Sequence, residues 1–452
     1  MKIAKWCVMG MGILLVLAIL AALVSNMIFG YQLRKTLSRL QAEGRPTTLA
    51  EFRPAPIPAD QNAAPLLEKA SSLLTNKPVP TAIQELSKLN QELSKPEYQN
   101  PTLGLRGFLG NKRDMLMGLI EEPDNKALFA ILSEAAHKPK YNAQLEYEKA
   151  PAFRVPSFLT TRQLLGFLVL KAEAAAYEGN GEGAGQVLLD GFRLAGLLKQ
   201  EPLMIQLLMS LASDGILING LYRITNDVDL PADTLQSLET ELKGHMDAVA
   251  YVRAMDEERV MTALVGYQIL LNGTYRDIRV VVDTIPPPIA WLYGKSGLLH
   301  RDMNVFLTLQ ANIQDKCRMP SDKVIASMRR NPIEKQIPAF CPLSRIMLQP
   351  SEPILNTKAQ SEAMLQVTRV GLALKQYKKA NGAYPDNLVQ LTPSYLDELP
   401  EDPCSGNSLL YRKEGGGFLL YSVGRDLQDN QGAQFNLKFP SAPYDIVWKT
   451  IR

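Results

Sequence analysis

Hydrophobic and polar positions alternate in distinct ways along this chain, and the first pattern is barely an alternation at all. Trp6 to Phe29 is an almost unbroken apolar run without a charge. At about 1.5 Å rise per residue, some 20 such residues cross the hydrocarbon of a bilayer. Lys2 and Lys5 precede the run, and Arg34, Lys35 and Arg39 follow it. The run exceeds a usual signal-peptide core, and Ala21-Ala22-Leu23-Val24-Ser25 is a poor small-residue cleavage site, so residues 1–33 read as an uncleaved signal anchor. Tyr31 to Ala42 can continue that helix until Gly44-Arg45-Pro46 stops it. Residues 34–59 read as a Pro-rich linker, because Pro54, Pro56 and Pro58 alternate in a polyproline-like way.

Helical periodicity takes over from residue 60. Asp60 reads as the N-cap of a helix through Leu74, and Ile83, Leu86, Leu89 and Leu93 recur at helical spacing over Thr81 to Leu93. Further helices fit Leu103–Ile120 and Lys126–His137, followed by an aromatic connector with Tyr141, Tyr147 and Phe153. Thr161–Glu178 and Glu182–Lys199 form a hairpin about Gly179-Asn180-Gly181, with Ala172, Ala175, Ala176 and Ala184 small enough for close approach. It resembles a single tetratricopeptide unit, but no second copy with that period is present, and an ordinary α-hairpin is the simpler reading. Helices continue from Pro202 to Ile224, from Pro231 to Met246 and from Asp247 to Leu271. Pro286-Pro287-Pro288 interrupts any long helix, Arg301–Cys317 fits another, and Pro332, Pro338, Pro342 and Pro350 punctuate the rest. Residues 60–355 therefore read as one α-helical domain of helical hairpins.

The period changes in residues 356–452. Met364, Val367, Val370, Leu374 and Tyr377 line one face of a long helix that Asn381-Gly382 ends. Three strand-like pieces follow, at 409–412, 418–422 and 446–448, with Gly415-Gly416-Gly417 as a hairpin signal. The fold class expected is mostly α, with an N-terminal transmembrane helix, a large helical domain and a small α+β domain in which a long helix packs on an antiparallel sheet.

Charge and candidate chemistry add little. With 49 basic and 46 acidic side chains the formal net charge is +3, which makes no electrostatic case for nucleic acid. The three histidines, His137, His245 and His300, have no nucleophile in a recognisable elbow, and no phosphate loop, dinucleotide fingerprint or His-Glu-x-x-His is present. Asp256-Glu257-Glu258-Arg259 is the most acidic cluster, but adjacent helical residues point about 100° apart. Glu257 and Glu258 are thus no acid–base pair, and Glu258 with Arg259 reads as an ion pair or a solvated face. The chain is read as no enzyme, with an uncharacterised hydrolase as the last alternative. Cys7 lies in the apolar run; Cys317 and Cys341, 24 residues apart, are a disulfide candidate outside the cytoplasm, with two separate buried thiols as the alternative.

Asn381-Gly382-Ala383-Tyr384-Pro385, Asp402-Pro403, Tyr421-Ser422-Val423-Gly424-Arg425-Asp426 and the closing Asp445-Ile446 occur in an order that resembles the C-terminal domain of the type II secretion major pseudopilin. The resemblance covers about one fifth of the chain. It implies a long helix on a small sheet, the bulk of the chain outside the cytoplasm on a bacterial inner membrane, and a calcium loop. Asp426, Asp429 and Asp445 would be the side-chain ligands, with backbone oxygens near Val423 and Leu427. Gly10 and Gly12 lie where that family has its cleavage glycine, but no acid follows them in the span, which departs from the glutamate that registers one subunit on the next. The whole chain, with Asp60-Gln61-Asn62-Ala63-Ala64 after the anchor, looks like uncharacterised single-span membrane-protein families of planctomycete and verrucomicrobial bacteria. These readings imply a membrane-anchored extracytoplasmic scaffold or interaction protein with unknown protein partners and no small-molecule substrate. The alternative is an accessory component of a type II secretion-like system.

Overall fold

The computed structural model describes residues 2–95, 104–147, 158–272, 293–434 and 443–450. Phe153, the Pro286–Pro288 run and Phe435-Asn436 lie outside these ranges. The protein is mostly helical, with one small sheet near its C-terminal end.

Helix α1 (Lys2–Ala42) is 41 residues long, about 60 Å at helical rise. Its Met9–Ala42 portion is long and apolar enough to cross a membrane, and none of its most apolar stretch, among the described side chains, is buried in the protein. The second half behaves differently: Leu33 and Leu40 are buried in a core. Residues 34–42, expected as the start of a linker, are thus the packed end of the first helix. The short α2 (Leu49–Phe52) follows, capped by the Thr48 side chain.

In the first helical layer, α3 (Ala64–Thr75) begins three residues later than expected, with Ala63 rather than Asp60 at the N-cap. Asp60 sits in a 3-10 turn, and Asn62 Oδ1 accepts from the Ala64 and Asn142 amides instead, at 3.1 and 3.0 Å. The following α4 (Thr81–Leu93) buries Ile83, Leu86, Leu89 and Leu93 as its spacing requires. The helix expected over 103–120 is two, α5 (Leu105–Leu109) and α6 (Arg113–Glu121), divided where Gly110 takes φ +51°. After α7 (Pro123–Ala136) come the central three: α8 (Phe158–Tyr177), α9 (Gly181–Leu198) and α10 (Met204–Asp227). Asn180 caps α9 by accepting from Gly183 N at 2.8 Å. The sequence of α10 is also apolar enough for a membrane span, but the helix is mostly buried among its neighbours.

Beyond α11 (Ala232–Gly244), α12 (Ala248–Glu257) carries the Asp247 N-cap. The long helix expected to Leu271 is broken by a π-helical segment, Glu258–Leu264, before α13 (Val265–Asn272). Next come α14 (Leu298–Lys316), α15 (Ser321–Arg330), α16 (Ile333–Gln336) and α17 (Pro342–Leu348), and then α18 (Ser351–Asn381). The sheet β1 (Leu410–Glu414), β2 (Gly417–Ser422), β3 (Ile446–Thr450) is antiparallel in that order, with Leu420 opposite Tyr411 and Trp448.

Three cores result. One joins α3–α7 to α8. Another joins the end of α1 to α12–α15 and the first half of α18. The third joins α8–α11 to the second half of α18 and the sheet. Helix α18 therefore belongs to two cores, and the boundary drawn at residue 356 falls within one buried helix. Trp448 stacks on Tyr222 of α10 with ring centroids 4.3 Å apart, and Tyr222 Oη is 2.9 Å from Thr368 Oγ1 of α18. A methyl group at Gly371 would overlap the Trp448 ring.

Candidate functional site

The terminal motifs converge. Asp402, almost fully buried, accepts from Cys404 N (2.9 Å) and Ser422 Oγ (2.7 Å) through Oδ1, and from Ser405 Oγ (3.0 Å) and Val423 N (3.2 Å) through Oδ2. One carboxylate thus ties the Asp-Pro turn to the end of β2, where the next loop begins.

That loop turns on four residues with positive φ: Gly424, Leu427, Gln431 and Gly432. It brings two of the three expected acids, Asp426 and Asp445, onto Asn430. Asn430 Nδ2 lies 3.0 Å from Asp426 Oδ2, 3.1 Å from Gln428 O and 3.4 Å from Asp445 Oδ1. Asp429 Oδ1 accepts from Tyr421 Oη and Gln431 N, at 2.9 and 2.8 Å. Asp445 Oδ2 accepts from Gly432 N at 2.8 Å. Burial, with the Asp429 charge adding to it, raises the Asp445 carboxyl above its ordinary range while the amides pull the other way. Among the described residues no three His, Cys, Asp or Glu side chains stand close enough to grip one ion. One carboxylate oxygen each from Asp426 and Asp445 and the Gln428 carbonyl converge on the Asn430 amide, whereas Asp429 is turned to Tyr421 and Gln431.

A second polar cluster is one the sequence reading missed. His245 Nδ1 lies 2.7 Å from Asp214 Oδ1, and Lys199 Nζ donates to Asp214 Oδ2 at 3.2 Å and to His245 O at 2.8 Å. Glu241 Oε1 stands 3.6 Å from His245 Nε2, which has no hydrogen-bond partner. Burial disfavours the imidazolium, but Asp214 and Glu241 outweigh burial and the Lys199 charge, and the His245 pKa is raised. The Asp214 carboxyl is likewise buried, and its two cationic partners bring its pKa below the usual value. The cluster is an ionic clip joining α9, α10 and α11. His137 and His300 are elsewhere: Nδ1 of His137 lies 2.8 Å from Ser133 O, and Nδ1 of His300 lies 2.8 Å from Tyr267 Oη. No spacing signal connects residues 199, 214 and 245; three separate helix positions have to meet first.

The acidic run at 256–259 is partly corrected. Arg259 pairs with Asp256, Nη1 to Oδ1 at 2.7 Å, and donates to Gln310 and Gln314 of α14; Glu258 is not its partner. Burial and then the neighbouring Glu258 charge push Glu257 up to about 8. Cys317 and Cys341 are both buried free thiols, the other reading their spacing allowed, and Cys404 is a third. Burial pushes the Cys317 thiol up to about 11 and Cys404 to about 12, away from the reactive thiolate.

A cleft of about 430 Å³ lies between the C-terminal ends of α10 and α18, lined by Lys375, Lys378, Lys379, Asp227 and Asp229 among others. Lys375 and Lys379 donate to Thr225 O and Leu230 O, at 2.6 and 3.0 Å, so they staple the chain around the end of α10. Burial lowers the Lys375 pKa to about 8. Comparison with family models, with curated proteins and with solved structures found no match for this chain.

Proposed function

We propose that this protein is a membrane-anchored extracytoplasmic scaffold or interaction protein. The observation that carries the reading is the continuity of α1. Its first half is apolar and unpacked, and its second half is part of a core, with no joint between them. Such a helix holds the body at a set height and angle over the bilayer. The polar clusters inside the body are engaged mainly with one another, as in Lys199–Asp214–His245 and Asp256–Arg259–Gln314, which suits a rigid body that works through its surface. The test is mild cross-linking in intact cells followed by purification of the full-length protein. Reproducible envelope-protein companions support the reading; a protein recovered alone after efficient cross-linking speaks against it.

A second reading, an accessory component of a type II secretion-like system, is favoured by the Asp402 contacts that join two of the pseudopilin-like motifs. Pseudopilins or their platform among the cross-linked companions would select it. Within either reading, calcium at Asp426, Asp429 and Asp445 would exchange the Asn430 amide contacts for a bound ion and tie β2 to β3. The full-length protein in detergent should then melt at a higher temperature in calcium than in chelator, and equal midpoints would remove calcium from the account.

A further inference from the structure

Phe340 combines two features that a scattered surface phenylalanine does not. It is 79% exposed, and its backbone is left-handed at φ +61°, a conformation that bulky residues rarely adopt. Single exposed apolar residues are ordinary. One displayed at the cost of backbone strain calls for a use.

The position of Phe340 supplies that use. Helices α1 and α14 run parallel: Gly30 packs on His300, Thr36 Oγ1 donates to Asn304 Oδ1 at 2.6 Å, and Arg45 donates to Ala311 O at 3.0 Å. Just before α14, Gly297 has the backbone of Ser25 and Asn26 in the space a side chain would need. The body therefore meets α1 at the end of its apolar run. The first turns of α14 lie level with Gly30 to Arg34, within about 9 Å of Ile28 along the helix axis. The headgroup layer is roughly 5–7 Å deep on each side of the hydrocarbon. The Phe340 loop is tied to this level twice. Arg301 Nη1 donates to Ala339 O at 3.3 Å, and the Asp302 carboxylate accepts from Leu343 N and Ser344 N at 2.8 and 2.9 Å. Arg34, Lys35 and Lys295 are exposed at the same level. Glu334, an exposed acid six residues before Phe340, is paired with Arg345 at 3.2 Å.

We propose that the loop at Ala339–Cys341 is a second membrane contact, in which the Phe340 ring enters the headgroup layer of an anionic lipid surface beside a basic collar of Arg34, Lys35, Lys295 and Arg301. Aromatic rings favour that layer, and basic side chains favour anionic headgroups. The proposal rests on α1 spanning the bilayer. Together the two contacts stop the body from rotating freely over the membrane.

The test places the photoreactive residue p-benzoylphenylalanine, one site at a time, in the full-length chain. The sites are Phe340, Met27 on the apolar half of α1 and Val389 in the terminal domain, exposed 79%, 74% and 67%. Each protein is reconstituted in mixed phosphatidylcholine–phosphatidylglycerol vesicles, irradiated and weighed by mass spectrometry. The expected result is a lipid adduct at Met27 and at Phe340, several-fold above that at Val389, and a drop at Phe340 in pure phosphatidylcholine. A lipid adduct at Met27 with only background at Phe340, or a protein adduct at Phe340, overturns the second contact while leaving the span intact. No adduct at Met27 overturns the span and the proposal with it. An adduct at Phe340 that is unchanged in pure phosphatidylcholine overturns the anionic collar.

Discussion

Asp214 and Glu241 both face His245 and favour its charged form inside the protein, while burial and Lys199 oppose it. Its folded pKa is raised above the ordinary 6.5, so it contributes stability that is fully present below that pH and is lost as pH rises through the folded pKa. Asp214 has the opposite sign: its pKa lies below 3.8, and its contribution is lost only in strong acid. His245→Gln should therefore lower the melting temperature most below pH 6.5 and progressively less as the pH rises above it. A difference that does not vary with pH would show that the ring acts by packing alone. Phe340 makes the other residue-scale prediction. Left-handed backbone costs a non-glycine residue roughly 1–2 kcal/mol, and the exposed ring returns little packing. Phe340→Gly should raise stability in detergent by about 1 kcal/mol while abolishing a lipid contact at that position. A fall in the melting midpoint would mean that the ring packs in solution.

Among the elements, α18 decides the most. Its first half lies against α15 and the core around α14, and its second half lies between α11 and the sheet. The Arg369 guanidinium reaches Glu239 of α11, Nε to Oε1 at 2.8 Å, and Gly371 lets the Trp448 indole lie on the helix backbone. Gly371→Ala gains helix propensity but forces the ring off the helix and off Tyr222. Overpacking of this kind costs about 1–3 kcal/mol, more than the roughly 1 kcal/mol of propensity returned. A lower melting midpoint is expected, together with a change in near-ultraviolet circular dichroism from displaced Trp448. A midpoint at or above that of the native chain would mean that β3 can shift away without loss.

For the molecule as a whole, the terminal region is no detachable cap. Its buried face is completed by Leu217, Leu221 and Tyr222 of α10 and by Leu235, Leu238 and Leu242 of α11. A fragment of residues 351–452 would expose that face to water. It should be poorly dispersed by amide NMR and bind a hydrophobic dye, whereas the full-length chain should not bind the dye through this region. A well-dispersed, dye-silent fragment would instead make the terminal region an independent module.

Much of this was legible in the sequence because it depends on neighbours along the chain. The apolar run of α1, the helical spacing of α4, the hairpin at Gly179–Gly181 and the short strand pieces about the Gly415–Gly417 turn are all local patterns, set by backbone geometry and the hydrophobic effect. The acids Asp426, Asp429 and Asp445 could be named from their motif, but only the fold shows that Asp426 and Asp445 meet at Asn430 while Asp429 turns to Tyr421 and Gln431. What the tertiary structure alone decided depends on residues far apart in sequence. The meeting of Lys199, Asp214 and His245 takes three helices, and the pairing of Arg259 with Asp256 and the glutamines of α14 needs the π-helical turn that local propensity does not encode. Most of all, only the fold shows that residue 356 lies inside one helix shared by two cores, because a periodic apolar face says that a helix is buried but not which partner buries it.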